Sequence, residues 1–400
     1  MSLEWQATLP DNTYADTVLA WDDGGLMVAG WKDSGASYLA RVLPDGTQAW
    51  VASLPPNVWH KMAVDGAGHL YLAHALAAPA VVLGEKLEAP AYPASFLLKL
   101  DGDGKVLWSK VYDEGGGNGA ATLAANASGV VLAGSYSVGL TIDDRSLVPG
   151  QPVSRPAYLV KLDADGNVAL ARTYGSLASV DTAVLNDDGS LLVGGNFSEV
   201  IGLGGETLGS SGAAMFFAKL DDEGNAVWAR HFVGEANVHA TRWEDGYALM
   251  ARGALYDLGV GRWLGGQTVA RLEEDGQIVW AKRLGSFLSY GGERFGAVLP
   301  SGLLVTGRTE DPPTDGYAYY PGSSAPSPAE RELVALSKDG SLSTSMPLDS
   351  LEPFSHPTLF EVSASPSGEV VLGSAVESYS GPVYRAFTTL RRVRVGGTIP

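Results

Sequence analysis

The chain has 400 residues, 45% of them hydrophobic, a formal net charge of −18 and no cysteine. The acidic balance disfavours a nucleic-acid partner, because nucleic-acid-binding proteins present basic patches to phosphates. The absence of cysteine excludes disulfides and thiolate chemistry. No apolar stretch approaches the roughly 20 residues of a membrane span, and no basic segment followed by an apolar run opens the chain, so neither a membrane span nor a signal peptide is predicted.

The first predicted element is a strand at about 3–9, in which Trp5 occupies the place that Trp50 takes in the strand from Thr47 to Leu54. A hairpin pattern with an Asp-Gly or Ser-Gly turn then recurs seven times along the chain. Its copies begin at Thr17, Lys61, Ala121, Thr182, His239, Gly296 and Phe360. Period-two alternation and tight turns predict β-strands, and no sustained helical period is present.

A second phrase alternates with these hairpins: an apolar strand, an acidic turn that ends in glycine, and a strand often centred on tryptophan. It occurs six times, with turn glycines at Gly46, Gly104, Gly166, Gly224, Gly276 and Gly340. The C-terminal segment from Phe387 to Val395 supplies a seventh apolar strand but no tryptophan strand. The strand at about 3–9 is expected to complete that last unit.

Four strands in each of seven units predict an all-β fold, a seven-bladed β-propeller of four-stranded blades. The ring is expected to close by pairing of the N-terminal strand with the C-terminal strand, so that the last blade, at about 357–395, has no open edge. No linker interrupts the repeat. A single propeller domain is therefore predicted over residues 1–400.

The repeat resembles that of bacterial β-propeller proteins of the secreted or surface-associated type. Their pattern joins a short Gly-Gly-x-x-Leu insert, Phe-x-x-Lys-Leu-Asp, an acidic glycine turn and a Trp-x-Lys strand. Matching segments lie at 83–87, 96–101 and 108–110, and again at 203–208, 217–221 and 228–230. The resemblance implies an extracellular, surface or virion-associated location, which nothing else in the sequence indicates. Leu170 and Thr344 replace the expected tryptophan, which predicts less regular packing in blades three and six.

Several motifs have a chemical and a structural interpretation. Acidic turns such as Asp101/Asp103 and Asp163/Asp165 could supply oxygen ligands to calcium, but Asp and Gly also suit tight turns on their own account. The repeated tryptophan is expected to pack between blades.

The six histidines show no metal-binding spacing and are expected to have separate packing or surface roles. The inserts at Leu83/Leu87 and Leu203/Leu208 are predicted to form small structural hairpins. No catalytic residue, metal or cofactor is predicted.

The side of the blades that carries the B–C and D–A connections is the predicted binding face. The A–B and C–D turns on the other side are short, whereas long segments lie at 75–95, 137–156, 198–213, 255–267 and 308–331. Variable loops on a rigid scaffold commonly carry recognition. The candidate residues lie in three neighbouring segments, at 309–329, 285–292 and the following D–A connection: Tyr317, Tyr319, Tyr320, Phe287, Tyr290, Phe354 and His356. Covering a neighbouring blade is the alternative role for these tyrosines.

The predicted function is a non-enzymatic recognition scaffold that binds a protein or a glycan through this face. A virion component, such as a phage tail protein that assembles with other virion or surface structural proteins, is one specific form of the hypothesis. The alternative is a hydrolase or lyase that acts on polysaccharide and brings carboxylates together with Tyr or His at the same face.

Overall fold

A computed structural model of the protein describes residues 2–8, 13–21, 23–32, 34–56, 60–89, 92–113, 120–148, 155–256, 263–285, 296–309, 331–347, 358–364, 369–380 and 383–395. All regular structure in these residues is β. No helix in the described part of the chain is long and apolar enough to cross a bilayer. The strands form seven four-stranded antiparallel blades, which confirms the predicted seven-bladed β-propeller.

The first three blades follow one another along the chain. Blade 1 consists of β2 (Thr13–Ala20), β3 (Leu26–Lys32), β4 (Ser37–Val42) and β5 (Gln48–Leu54). Blade 2 consists of β6 (His60–Val64), β7 (Leu70–Leu76), β10 (Ala94–Leu100) and β11 (Val106–Asp113), with β8 (Ala80–Val82) and β9 (Glu85–Leu87) as an inserted hairpin. Blade 3 consists of β12 (Ala120–Asn126), β13 (Gly129–Ser135), β16 (Ala157–Asp163) and β17 (Val168–Tyr174), with the hairpin β14 (Leu140–Ile142) and β15 (Arg145–Leu147).

Blades 4 and 5 share one long strand. Blade 4 consists of β18 (Ala178–Leu185), β19 (Leu191–Gly202), β20 (Thr207–Leu220) and the first part of β21 (Ala226–Trp243). The last part of β21 opens blade 5, which continues with β22 (Gly246–Tyr256), β23 (Trp263–Glu273) and β24 (Ile278–Arg283). Blade 6 consists of β25 (Gly296–Val298), β26 (Leu304–Thr309), β27 (Arg331–Leu336) and β28 (Leu342–Pro347).

Blade 7 closes with strands from both ends of the chain. It consists of β29 (Thr358–Ala364), β30 (Glu369–Ser380), β31 (Val383–Arg394) and the N-terminal strand β1 (Ser2–Thr8). Pairing of β1 with β31 runs antiparallel from Ser2 opposite Arg394 to Thr8 opposite Thr389. The Arg392 guanidinium fastens this joint, since its Nε donates to Glu4 Oε2 at 2.7 Å and its Nη1 donates to the carbonyl oxygens of Gly24 and Pro44. The predicted closure is confirmed.

By the density of its contacts the chain divides into two compact units. One comprises Met1–Met27, Val42–Thr47 and Thr241–Pro400, and the other Val28–Arg41 and Gln48–Ala240. In the second unit, buried side chains of blade 3 such as Val131 and Leu159 pack against Val180 and Leu191 of blade 4. In the first unit, blades 6 and 7 pack similarly through Leu333, Val362 and Leu372 among others. The apolar core therefore lies between the faces of neighbouring blades, where the burial of apolar surface stabilises the fold.

The repeated tryptophan packs between blades as predicted. The indole Nε1 of Trp50 donates to Gly102 O at 3.4 Å, that of Trp108 to Ala164 O at 3.0 Å, and that of Trp280 to Lys338 O at 2.8 Å. Each acceptor lies in the acidic turn of the next blade, two residues before the turn glycine. That glycine has a positive φ and lies under the indole ring. The turn and the tryptophan of the repeat thus form one contact that joins successive blades.

Blade 3 keeps this contact with different residues. Leu170 lies close to Gly224, while Arg172 Nε donates to Glu223 O at 3.3 Å and Tyr174 Oη donates to Gly224 O at 2.9 Å. Strands β16 and β17 pair with the same register shift that β10 and β11 show. The contact between blade 3 and the next blade thus differs from that of the tryptophan repeat, because Tyr174 and Arg172 make the hydrogen bonds that an indole makes elsewhere, while the strand pairing within blade 3 is regular.

The structural hairpin predicted at Leu83/Leu87 is confirmed by β8 and β9, and a second hairpin, β14 and β15, lies at the corresponding place in blade 3. Buried Val82 and Leu87 hold the first hairpin. The second pairs with the outer strand of the preceding blade, with Tyr112 opposite Ile142 and Asp113 opposite Thr141. It adds two strands to the sheet of blade 2 and covers an edge that would otherwise be open to pairing with another chain. In blade 4 the corresponding insert prolongs β19 and β20 and buries Leu203 and Leu208.

Candidate functional site

The predicted binding residues Tyr317, Tyr319, Tyr320, Phe287, Tyr290, Phe354 and His356 all lie outside the described residues. Their part in recognition stays a prediction. The strands that lead into these segments lie within the described residues, and the strand residues next to each segment form its root. Two of these roots form hydrogen bonds with one residue, Gln267: one root with its backbone and the other with its side chain.

Gln267 binds the roots of both the 285–292 segment and the 309–329 segment. Its backbone N donates to Gly285 O at 2.9 Å, and its carbonyl accepts from Leu284 N at 2.8 Å, where blade 5 ends. Its side-chain Nε2 donates to Thr306 Oγ1 at 2.9 Å and to Gly307 O at 3.0 Å, on the blade 6 strand that ends at Thr309. One residue, 1% exposed, thus binds the strand residues that precede two predicted recognition segments.

The surroundings of Gln267 form a buried polar layer. Arg252 lies directly opposite it on β22, and Thr268 and Thr306 adjoin it; all three are almost fully buried. Within the described part of the chain, Gln267 Oε1 and Thr268 Oγ1 have no hydrogen-bond partner. A buried polar atom without a partner costs free energy, about 1–3 kcal/mol. Blade 5 therefore contains a layer of buried polar groups next to Gly285 and next to the blade 6 strand β26.

A second polar cluster lies in the other unit. The rings of His60 and His74, on directly opposed positions of β6 and β7, stack with centroids 4.6 Å apart and planes 12° from parallel. Both are buried. His74 Nε2 lies 2.7 Å from Pro55 O, so this nitrogen carries the proton of the hydrogen bond. The expectation of separate roles for the histidines is wrong for this pair, because the register of two strands brings them together.

Asp181 lies on β18, the first strand of blade 4. It is the extra residue of a β-bulge, since the register shifts between Val180 and Thr182. Its Oδ2 accepts a hydrogen bond from Asn196 Nδ2 at 2.8 Å. Burial raises the pKa of this carboxyl above its ordinary value, while hydrogen bonds from Ser179 and Asn196 and the positive charge of Lys61 oppose the rise. The carboxyl is deeply enclosed by protein atoms, although the residue keeps part of its surface accessible to solvent.

Carboxylates of the acidic turns, on the opposite side of the blades, bind the turns themselves. Asp163 Oδ1 accepts from the backbone N of Asp165 at 3.0 Å and of Asn167 at 2.8 Å, and Asp221 does the same with Glu223 and Asn225. These hydrogen bonds, with that of the Asn167 side chain first, hold the pKa of Asp163 below its ordinary value. The described residues contain no group of three or more His, Asp or Glu side chains arranged around a possible metal position. The turn aspartates thus have a structural role.

No family model and no curated protein matches the chain. Among solved structures, the Dos1 propeller is similar over 94% of this chain and 78% of its own, with 9% identity and a TM-score of 0.48. A lignostilbene dioxygenase of Pseudomonas brassicacearum is similar over 81% and 69%, with 13% identity and a TM-score of 0.42. An apocarotenoid oxygenase of Synechocystis is similar over 83% and 71%, with 10% identity and a TM-score of 0.40. Likenesses this weak carry no argument about function, and the fold assignment rests on the strand pairing alone.

Proposed function

We propose that this protein is a non-enzymatic recognition scaffold that binds a protein or a glycan through the B–C and D–A segments of its blades. The observation that supports this most is the buried polar layer around Gln267. The side chain of Gln267 binds the blade 6 strand that precedes the 309–329 segment, and its backbone binds the end of blade 5 that precedes the 285–292 segment. Fixed attachment points lower the entropic cost of binding. Tyrosines such as Tyr317, Tyr319 and Tyr320 offer broad contact area with a hydroxyl group, which suits either ligand class.

The contrast between the two sides of the blades adds to the proposal. Aspartates of the short turns are engaged with backbone amides of their own turns, as Asp163 and Asp221 show. Away from these turns, the side chains of Gln267 and Asn196 lie within β23 and β19 and bind the neighbouring blade, at Thr306 and Gly307 and at Ala236. The resemblance of the repeat to bacterial secreted or surface-type propellers supports, as part of this proposal, a location at a surface or in a virion with other structural proteins as partners.

Capture of a ligand tests this proposal. The purified chain and a variant lacking residues 309–329 are compared for retention of proteins from lysate or virions of the source organism, and for binding to a glycan array. As a control, Val81→Ala, Val227→Ala and Val279→Ala together remove exposed apolar side chains from other parts of the surface. We expect one specific ligand that the control retains and the deletion loses. Equal capture by the deletion variant, with its fold intact by circular dichroism, would contradict the proposal.

A polysaccharide hydrolase or lyase is the alternative, and Asp181 is the observation that favours it. A carboxyl whose pKa is raised by burial can hold a proton for transfer to a leaving group. Incubation with a panel of polysaccharides distinguishes the two functions. Release of reducing or unsaturated ends that is lost in Asp181→Asn would establish the enzyme and overturn the recognition scaffold.

A further inference from the structure

A groove of about 280 Å³ lies between the outer strand of blade 3 and the hairpin β14–β15. Residues 145–147 of β15 line one side of it, and residues 168–172 of β17 line the other. Side chains of consecutive strand residues point to opposite faces of a sheet, so five consecutive residues line one groove only along the edge of their strand, where the main chain lies. The groove therefore follows the outer edge of β17.

Both strands that line the groove are the last strands of their sheets. β17 pairs with β16 and β15 pairs with β14, and no strand in the described part of the chain pairs with the other edge of either. β15 approaches β17 without forming a ladder with it. In blade 2, by contrast, the outer strand β11 accepts β14 at Tyr112 and Asp113. An outer edge of this fold can thus accept a further strand, and the edge of β17 along 168–172 offers its main-chain donors and acceptors to one.

The charges that line the groove are positive. Arg145 and Arg172 are the ionisable residues among those that line it, although the chain as a whole carries a net charge of −18. Within the described residues, Arg172 uses only its Nε, which donates to a carbonyl oxygen in the acidic turn of blade 4 at 3.3 Å. Arg145 Nε lies 3.7 Å from Asp144 Oδ1, and such an exposed pair contributes little. The neighbouring Asp143 is paired with Lys110 at 2.8 Å. Both guanidinium groups can therefore bind a carboxylate from outside.

We propose that this groove binds an extended, acidic segment of another protein by addition of a strand to the outer edge of β17. Main-chain hydrogen bonds to an edge strand provide affinity, and side chains at alternate positions provide specificity. A carboxylate accepts paired hydrogen bonds from a guanidinium group, so Arg145 and Arg172 select a segment that contains Asp or Glu. The five residues of β17 that line the groove span roughly 16 Å, which is the length of about five extended residues.

Pairing of this edge with the same edge of a second copy is disfavoured. A two-fold contact brings the same patch of both subunits together. The arginines of one copy would then lie against those of the other, and like charges repel. Arg145 and Arg172 therefore protect the edge from self-association while they favour an acidic partner, and charged residues commonly protect edge strands in this way.

This site goes beyond the proposed function, because it uses neither residues 309–329 nor the tyrosines among them. The variant that lacks 309–329 should bind an acidic peptide as the full chain does. Loss of binding on that deletion concerns the long segment, whereas the effects of Arg145→Gln and Arg172→Gln concern the groove, so the two proposals fail separately.

The probe is an array of synthetic acetylated pentapeptides of β-branched and aromatic residues, in which the central residue is Glu, Gln or Lys. The strongest Glu peptide is titrated by calorimetry against the full chain, Arg145→Gln and Arg172→Gln. Arg230→Gln is the matched control, since Arg230 follows Trp228 by two residues as Arg172 follows Leu170, on the outer strand of blade 4 and outside the groove. We expect Glu peptides to bind most tightly, and their affinity to fall about tenfold in each groove variant and to be unchanged in the control.

Methylation of peptide nitrogens tests the strand pairing itself. Alternate residues of an antiparallel strand point their amides toward the neighbouring strand. Methylation of one alternate set should therefore abolish binding, whereas methylation of the other set should leave it intact. Equal effects of the two methylation patterns, equal binding of the Glu, Gln and Lys peptides, or unchanged affinity in both arginine variants would overturn the proposal. Binding to no peptide of the array would overturn it too.

Discussion

The indole Nε1 of Trp108 donates a hydrogen bond to the carbonyl oxygen of Ala164, 3.0 Å away in the acidic turn of the following blade. This one contact explains why the tryptophan and the turn recur together in the sequence. The ring lies on Gly166, two residues after the acceptor, so that the two halves of the repeat are parts of a single joint between blades. The same hydrogen bond recurs at Trp50 and Trp280.

Replacement of Trp108 tests the contribution of this joint. Trp108→Ala removes both the ring and the hydrogen bond, and we expect it to lower the free energy of unfolding by about 3 kcal/mol. Trp108→Leu copies Leu170 of blade 3 and should cost about half as much, since leucine still covers the glycine. Urea unfolding measures both. Equal destabilisation by the two variants would show that coverage of the turn contributes nothing.

Gly166 tests the same contact from the other side. Its φ is +87°, and an added Cβ would lie 3.0 Å from the Trp108 ring, whereas Gly35 has a φ of +80° and open space around it. Gly35→Ala should cost about 1 kcal/mol for the backbone conformation alone. Gly166→Ala should cost more, and the excess should vanish when it is combined with Trp108→Ala in a double-mutant cycle. If Gly166→Ala still costs more than Gly35→Ala when Trp108 is absent, the added cost does not come from contact with the Trp108 ring.

Arg392 tests the closure of blade 7. Its guanidinium is largely buried and bonds to Glu4 and to two backbone carbonyls. Arg392→Ala leaves Glu4 paired with Arg394 alone and removes the donor to the Gly24 and Pro44 carbonyls, and we expect a loss of about 1–3 kcal/mol in the free energy of unfolding. Lys86→Ala is the control, because the Lys86–Glu88 pair is exposed and should contribute little. Equal, small effects of the two variants would mean that the terminal strand is held by its backbone pairing alone.

Asp181 predicts a specific pH dependence. Its pKa in the folded protein is raised, so the folded state binds the proton more tightly than the unfolded state does. The associated stabilisation is complete below the unfolded pKa of about 4 and is lost as the pH rises through the folded value. Asp181→Asn should therefore have a higher melting temperature than the wild type at neutral pH, with the difference shrinking towards pH ~4. A difference that does not vary with pH would contradict the assigned cause.

The fold and its joints could be predicted from the sequence, whereas the polar clusters could not. The position of Trp108 four residues after Gly104 repeats along the chain, and a repeated spacing reveals a repeated contact. Asn196 and Ala236, or Gln267 and Gly307, meet across blades through contacts that occur only once. No periodicity marks them, because each depends on the register of strands that are about 40 residues apart in the chain.

Dependence on strand register also explains why two other contacts could not be predicted from the sequence: the stacking of His60 with His74 and the hydrogen bond of Tyr174 to Gly224. His60 and His74 are 14 residues apart in the chain, and only the pairing of β6 with β7 places them face to face. Tyr174 replaces the indole hydrogen bond from a position four residues beyond Leu170, which no search for a tryptophan would find. A contact that is made by another residue type from another position can be recognised only when both interacting residues are known.

Tyr317, Tyr319 and Tyr320 are proposed to bind the ligand. Titration of the captured protein or glycan against a variant with Tyr317→Ala, Tyr319→Ala and Tyr320→Ala tests this most directly, beside the matched variant of Val81, Val227 and Val279. We predict that affinity falls about a hundredfold in the tyrosine variant, as expected when aromatic anchors are lost, and is unchanged in the valine variant. Equal affinities of the two variants for the ligand would contradict the account.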